Sequence, residues 1–239
     1  EIFEDALRLA EDNQKILPLV NIAGVLAKSG NVQKSIEICE KAKLLADELS
    51  DSNERCWVFG RIGVVYTEAN KIESTIKIAE KICSEDEGNL PLGEIMISLS
   101  EKGEVKAALD LRRCIPNNDL CDSILSDLAG RLANKGRVDE AEYITGLIDN
   151  LEEKEWVQKE IAIVKASEGE IIKAIDITQT LVDNDMKILA LTEIAKILIK
   201  KGEENKLKRL IELILELSEE GSSDSVEVNI VEIDRKSVV

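Results

Sequence analysis

Apolar residues recur at fixed distances from a turn residue along most of this chain. Glycine, or asparagine in its place, stands at six positions that are 33 residues apart after a first interval of 40: Gly30, Asn70, Gly103, Gly136, Gly169 and Gly202. Eight residues before each of them the residue is always apolar: Ile22, Ile62, Ile95, Leu128, Ile161 and Ile194. At 44% apolar composition, chance would fill six such positions in fewer than about 1% of cases. The pattern therefore predicts a repeated structural unit.

The spacing within each unit is helical. Positions eight and four before the turn residue share one helix face, and positions five, eight and twelve after it share a face of a second helix. The position five after the turn residue mostly holds a small side chain, as a close helix crossing requires: Ser35, Thr75, Ala108, Ala141, Ala174 and Leu207. The turn itself needs a left-handed backbone, which glycine adopts freely and asparagine tolerates. Each unit is thus predicted to be an antiparallel helical hairpin.

Two irregularities refine the helix boundaries. Pro18 and Pro91 both stand twelve positions before their turn residue, where proline suits the first turn of a helix. We therefore expect these first helices to begin close to the prolines. The seven additional residues between Gly30 and Asn70 are expected to lengthen the second helix of the first hairpin, through residues 41–50.

The two ends of the chain depart from the pattern. Residues 1–12 resemble the second helix of a repeat whose first helix is missing, and the chain starts at Glu1 rather than methionine, so we expect a fragment or a trimmed protein. Residues 221–239 form the expected tail, in which Val226, Val228 and Ile230 alternate with polar residues as in a strand. This tail is either disordered or docked on a surface. The predicted domain organisation is therefore a repeat region at 1–220 and a flexible or strand-like tail at 221–239.

Charge restricts the classes of partner. The chain carries 48 Asp and Glu against 31 Lys and Arg, a net charge of −17. Such a field repels phosphate backbones and anionic membranes, which argues against nucleic-acid and membrane binding. No run of 18 apolar residues is present in the sequence. We expect a cytoplasmic, acidic protein.

The residues that carry most enzyme chemistry are scarce. The chain has no histidine, so it lacks the histidine pairs of nucleophilic catalysis and histidine metal ligands. The odd number of cysteines, five, without a CxxC motif argues for a reducing compartment. Cys114 and Cys121, seven residues apart, are a weak candidate for a redox pair or metal half-site. We therefore expect no enzyme activity, no cofactor and no metal site.

The repeated hairpin resembles the tetratricopeptide repeat (TPR). The resemblance rests on the near-34-residue unit, the turn glycine and the small residue after it, and on the segments LAGRLANKG at 128–136 and FGRIGVVY at 59–66. It covers residues 16–217, with aliphatic residues in place of most of the family's aromatic ones and without its closing proline. The resemblance implies an all-α fold, a right-handed α-solenoid of about six TPR-like repeats with a 33-residue period.

In the TPR family, partners bind in the concave groove that the first helices line. We call the residues at one equivalent position of every repeat a column. The columns expected to face the groove stand thirteen, ten and six positions before each turn residue. From these columns we select the following candidate partner-binding residues: Trp57, Gly60, Val64, Leu90, Ile97, Trp156, Lys159, Ile163 and Lys196. Two interpretations of the tryptophans remain open. Trp57 and Trp156 either seal the joint between neighbouring hairpins or anchor an apolar segment of a partner in the groove.

The function expected from this architecture is that of a scaffold that binds a protein or peptide. One alternative is a self-associating structural module, in which the incomplete N-terminal repeat or the C-terminal tail joins two copies into a homo-oligomer. The other is RNA binding of the pentatricopeptide kind, which the negative charge disfavours.

Overall fold

A computed structural model describes residues 15–84 and 89–220 of the chain. These residues are all-α, and none of them lies in a strand. Twelve α-helices are found there: α1 (Ile16–Lys28), α2 (Val32–Asp47), α3 (Ser52–Glu68), α4 (Ile72–Cys83), α5 (Asn89–Glu101), α6 (Val105–Asp110), α7 (Asn118–Asn134), α8 (Val138–Thr145), α9 (Leu151–Glu168), α10 (Ile171–Gln179), α11 (Asn184–Lys201) and α12 (Glu204–Glu220). A short 3₁₀ helix, Leu111–Cys114, follows α6. The helix predicted at 1–12 and the tail at 221–239 lie outside the described residues.

All six predicted turn residues lie between two helices and have a positive φ, from 56° at Asn70 to 98° at Gly103. In the fourth hairpin the Gly136 N–H donates to the Ala133 carbonyl at 2.8 Å, and the next N–H, of Arg137, donates to the Leu132 carbonyl at 2.9 Å. The same two bonds recur at the other five turns. They form the Schellman motif, which satisfies the last carbonyls of a helix through a left-handed residue. The predicted hairpin turns are therefore confirmed.

The two helices of a hairpin cross where the sequence places small residues. The residue five positions after the turn residue is buried in every hairpin, and so is the one seven positions before it. In the first two hairpins these positions also form hydrogen bonds. The Ser35 hydroxyl donates to the Ala23 carbonyl at 2.7 Å, and the Thr75 hydroxyl donates to the Gly63 carbonyl at 3.3 Å. Only a short side chain lets the two backbones come this close.

The starts of the first helices follow a signal that the sequence analysis missed. Asp51, Asn117, Asn150 and Asp183 each stand nineteen positions before a turn residue. Their side chains accept the N–H three residues on, at 2.8, 3.0, 3.1 and 2.9 Å. An acceptor at this position satisfies an orphan donor at a helix N-terminus. These helices thus begin about six positions before the place in the repeat that Pro18 and Pro91 occupy in their own hairpins.

The expectations for the two prolines and for the longer second helix are confirmed. Helices α1 and α5 begin two residues before Pro18 and Pro91. Helix α2 has 16 residues, whereas α4, the corresponding helix of the next hairpin, has 12. Ala46, in the additional stretch, is fully buried, whereas its neighbour Leu44 is exposed. The added residues therefore continue the buried face of α2.

The chain forms two compact units, residues 1–124 (the N-terminal unit) and 125–239 (the C-terminal unit), with the boundary inside α7. In the N-terminal unit α1 packs beside α3, and α3 beside α5, while each first helix also packs on its own second helix. In the C-terminal unit α9 packs beside α11, and α8 and α10 pack on α9. Each unit therefore places first helices side by side. Nowhere in the described part of the chain does a helix combine the length and apolar character that a bilayer crossing requires.

A disulfide joins Cys83, at the end of α4, to Cys114, at the end of the 3₁₀ helix, with their Cα atoms 5.1 Å apart. This pairing corrects the interpretation of the cysteines as reduced thiols and the suggestion of a Cys114–Cys121 pair. Cys39, Cys56 and Cys121 are free and buried. The two bonded residues are 31 positions apart, close to the length of one hairpin. They thus hold similar places in consecutive hairpins, which a search for short cysteine spacings does not detect.

Candidate functional site

The residue thirteen positions before each turn residue is exposed in every hairpin. In the N-terminal unit this position holds Leu17 on α1, Trp57 on α3 and Leu90 on α5, which are 48%, 37% and 53% exposed. Because these three helices pack side by side, their exposed side chains share one face of the unit. We call Leu17, Trp57 and Leu90 the apolar row. Apolar side chains gathered on one face of a soluble domain are typical of an interaction surface.

A polar row lies one helical turn further along the same helices. Arg61 on α3 stands between Asn21 on α1 and Glu94 on α5. Its guanidinium donates to the Asn21 side-chain oxygen at 3.3 Å and lies 3.9 Å from the Glu94 carboxylate. All three side chains are four residues after a member of the apolar row, so they border it on one side. The face thus offers apolar contact next to groups of both charge signs.

The C-terminal unit repeats this arrangement with two helices. Trp156 on α9 and Leu189 on α11 are 36% and 45% exposed. The Lys159 ammonium lies 5.7 Å from the centre of the Trp156 ring and 3.1 Å from the Glu160 carboxylate. Lys196 pairs with Glu193 at 2.8 Å. Both candidate lysines therefore already have acidic neighbours, and a partner's carboxylate would have to compete with them.

The two tryptophans differ in how they contact neighbouring helices. A Cβ atom on Gly130 of α7 would lie 2.7 Å from the Trp156 ring, so this ring rests on the α7 backbone. Gly24 of α1 is the corresponding position for Trp57. A Cβ atom there would meet only a Val65 methyl group, at 3.5 Å. Trp156 thus covers a helix joint and remains partly exposed, whereas Trp57 makes no such contact with Gly24.

The remaining candidates are less exposed than the tryptophans. Val64, Ile97 and Ile163 are half-buried on the first helices. Gly60 is buried, and a Cβ atom there would lie 2.6 Å from the Pro91 Cβ. Its missing side chain lets α5 approach α3 closely. Their roles as partner contacts stay predictions.

Glu155 is a buried acid that the sequence analysis did not identify. It is 3% exposed and accepts the backbone N–H groups of Val182 and, at 3.3 Å, Asp183. Those residues form the connection between α10 and α11. Glu155 thus ties the start of the last hairpin to the preceding one. Asp122, which holds the same position in the preceding hairpin, is also buried, so this recurrence of an acid was the signal available.

Tyr66 and Glu40 form a second polar contact between hairpins. The buried Tyr66 hydroxyl donates to the Glu40 carboxylate, which also pairs with Lys43. The hydrogen bond from Lys43, together with that from Tyr66, lowers the pKa of Glu40. Burial, and then the bond to Glu40, raises the pKa of Tyr66. Burial also raises the pKa of the Cys39 thiol to about 12, which keeps it protonated and unreactive.

No protein-family model matches this chain, and the curated proteins include none with a similar sequence. The twelve described helices pack in neighbouring pairs, an arrangement compatible with a helical repeat.

Proposed function

We propose that this protein is a non-enzymatic scaffold that binds a segment of a partner protein on the face formed by its first helices. The apolar row carries this proposal: three exposed apolar side chains occupy the same position on three helices packed side by side. An apolar segment seated there would remove Leu17, Trp57 and Leu90 from water, at a gain of about 25 cal/mol per Å² of apolar area. The neighbouring Asn21, Arg61 and Glu94 would fix the segment's register through polar contacts.

We further propose that the hairpins within each unit stack in a right-handed, TPR-like solenoid arrangement, with the first helices on its concave side. The recurring Schellman turns and the packing of first helices on one another support this arrangement. In such an array each hairpin buries its apolar face against its neighbours. The net charge of −17 favours a partner with basic flanks over nucleic acid or an anionic membrane.

Peptide selection tests the proposed surface even though the partner is not identified. Random peptides displayed on phage would be selected on the full chain, and the affinity of the enriched peptides measured. We expect Leu90→Asp to weaken them by about tenfold or more, because it places a charge at an apolar contact. Bound peptide should also shift the tryptophan emission.

A matched control is Leu44→Asp, which places the same charge at an exposed leucine of a second helix, α2. It should leave the affinity unchanged. Equal losses from Leu44→Asp and Leu90→Asp would contradict the proposed surface. A change in light scattering with protein concentration, abolished by Leu90→Asp, would instead identify this face as a contact between copies.

A further inference from the structure

The spacing of the apolar row restricts the segments that can occupy it. Its three residues, Leu17, Trp57 and Leu90, hold equivalent positions on α1, α3 and α5, which pack side by side. Packed helices have axes about 8–10 Å apart. The contact between α3 and α5, where a Cβ atom added to Gly60 would lie 2.6 Å from the Pro91 Cβ, agrees with such a close approach. The apolar side chains therefore recur at intervals of about 8–10 Å across the three helices.

Regular backbone conformations differ in the interval at which side chains return to one face. In a β-strand every second residue returns, at about 6.7 Å. In polyproline II every third residue returns, at about 9.3 Å. In an α-helix the returns closest to this interval are seven residues apart, at about 10.5 Å. The interval of the apolar row thus does not match a strand, agrees with polyproline II and lies just short of the helical value.

Hydrogen-bond donors on this face favour polyproline II over a helix. An α-helix pairs its own backbone groups, whereas polyproline II has no internal hydrogen bonds and leaves its carbonyls to other donors. Trp57 is 37% exposed, and its indole nitrogen can only donate. The Arg61 guanidinium donates to the Asn21 side-chain oxygen at 3.3 Å, so the other half of that amide, the NH₂ group, is also a donor. These donors can bind the carbonyls of a segment seated on the apolar row.

Proline suits such a face for two reasons. It has no backbone N–H, so it needs no acceptor from a surface that offers mainly donors. Its fixed φ also lies near the polyproline II value, so a proline-rich segment loses less entropy when it binds.

An acidic group lies at the α5 end of this face. The Glu94 carboxylate is four residues after Leu90 and 3.9 Å from the Arg61 guanidinium, and the Glu94 side chain is 37% exposed. A chain with a net charge of −17 attracts basic segments. Glu94 can therefore pair with a basic residue at the end of a segment that lies over Leu90.

We propose that the apolar row binds a proline-rich segment in the polyproline II conformation, with an aliphatic residue or a proline at every third position. This inference rests on the proposed function and names the class of partner. The recurring residues of the segment pack on Leu17, Trp57 and Leu90. Carbonyl groups between them accept the Trp57 and Arg61 N–H groups, and a lysine or arginine at the α5 end pairs with Glu94.

Two synthetic peptides of identical composition test the spacing. Both consist of leucines and prolines with a lysine at each end. The first has leucine at every third position, and the second has the same leucines at alternate positions. Calorimetric titration of the full chain should show about tenfold tighter binding of the first, because only its leucines share one face of polyproline II. Equal affinities would overturn the proposal.

Trp57→Phe tests the role of the indole donor. It keeps an aromatic contact and removes the N–H group, so it should weaken the first peptide by about three- to tenfold. Tyr143→Phe is the matched control, because it removes a donor from a 62% exposed aromatic residue of α8, a second helix. It should leave the affinity unchanged. Unchanged affinity in Trp57→Phe, or an equal loss in Tyr143→Phe, would overturn the proposal.

A third peptide separates failure of this inference from failure of the proposed function. It is an amphipathic helix with leucines seven residues apart. If this peptide binds more tightly than the first and Leu90→Asp weakens it, the inference is overturned and the proposed function stands. If Leu90→Asp weakens the binding of none of the three peptides and of no phage-selected peptide, both are overturned.

Discussion

The two units of this protein join neighbouring hairpins in different ways. In the N-terminal unit, Pro91 of α5 packs against Gly60 of α3, and the Cys83–Cys114 disulfide links the second and third hairpins. In the C-terminal unit, the Trp156 ring packs against Gly130. The buried Glu155 carboxylate accepts two backbone N–H groups at the start of the last hairpin. Hairpins of the same repeat length are thus joined to their neighbours by several kinds of contact. The turn residues define the hairpin, while the residues between hairpins define how neighbours fit.

Removing the disulfide should have the largest effect on this comparison. The bond spans 31 residues, for which chain entropy predicts a stabilisation of about 3.7 kcal/mol. The double variant Cys83→Ser/Cys114→Ser should lose this amount in urea unfolding. Hydrogen exchange should place the loss mainly in the N-terminal unit.

Reductant provides the control, because it should destabilise the unmodified chain and leave the double variant unchanged. Peptide mapping without reduction should recover Cys83 and Cys114 linked. Free thiols at both positions, or equal destabilisation of the C-terminal unit, would contradict this account.

Glu155→Ala should have the next largest effect, about 2–3 kcal/mol, because it leaves two backbone N–H groups without their acceptor. The loss should appear as faster exchange at residues 182–184, where the last hairpin begins. Glu155→Gln keeps a carbonyl oxygen that can accept these bonds, so it should lose less. Similar small losses in both variants would show that the hairpin joint does not depend on this side chain.

Alanine substitutions at three glycines should show how well each contact between hairpins tolerates an added methyl group. Gly60→Ala should cost about 1–3 kcal/mol, because its Cβ would lie 2.6 Å from Pro91 Cβ and 3.1 Å from Pro91 Cα, which the backbone holds in place. Gly130→Ala should cost less and change the tryptophan emission, since the partly exposed Trp156 ring can move outward. Gly24→Ala meets only an ordinary contact, and helix propensity should make it neutral or stabilising by up to about 1 kcal/mol. Chemical denaturation of the three variants would rank them, and any other order would contradict the joint assignments.

The smallest expected effect concerns acid sensitivity in the N-terminal unit. The lowered pKa of Glu40 means that its ionised form stabilises the fold above the ordinary glutamate pKa. This stabilisation is lost as the pH falls through the lowered value. Tyr66→Phe should cost less than about 1 kcal/mol at pH 7, since Glu40 is partly exposed. The difference between the two proteins should shrink below about pH 4, as measured by urea unfolding across that range.

Residues close together in sequence were predictable, and contacts between hairpins mostly were not. Gly136 and the apolar positions around it identified a helix, a turn and a second helix, because the spacing reports local geometry directly. The caps at Asn117, Asn150 and Asp183 could also have been found, since they hold the same position in three consecutive hairpins. Trp57 and Trp156 show the limit. They occupy the same column, yet only the second contacts a glycine of the preceding first helix.

The disulfide and Glu155 escaped prediction for a related reason. Each depends on how one hairpin is placed against the next, and an interval of about one hairpin is not a familiar cysteine spacing. The candidate site was predictable only as a column: the position thirteen before each turn residue was identified, but the sequence did not show which of its neighbours were buried. Gly60, selected for the groove, was found beneath Pro91.

The longer α2 helix has a consequence for how such chains tolerate changes in length. Helix α2 is four residues longer than α4, and four residues rotate a helix by about 400°, which is about 40° past one complete turn. The buried stripe, which continues to Ala46, therefore stays close to its original orientation. An insertion of five residues would rotate the same stripe by about 140° and turn it toward water. Lengthening a helix by about one or two complete turns is thus compatible with this architecture, because it returns the buried stripe to the same side of the helix.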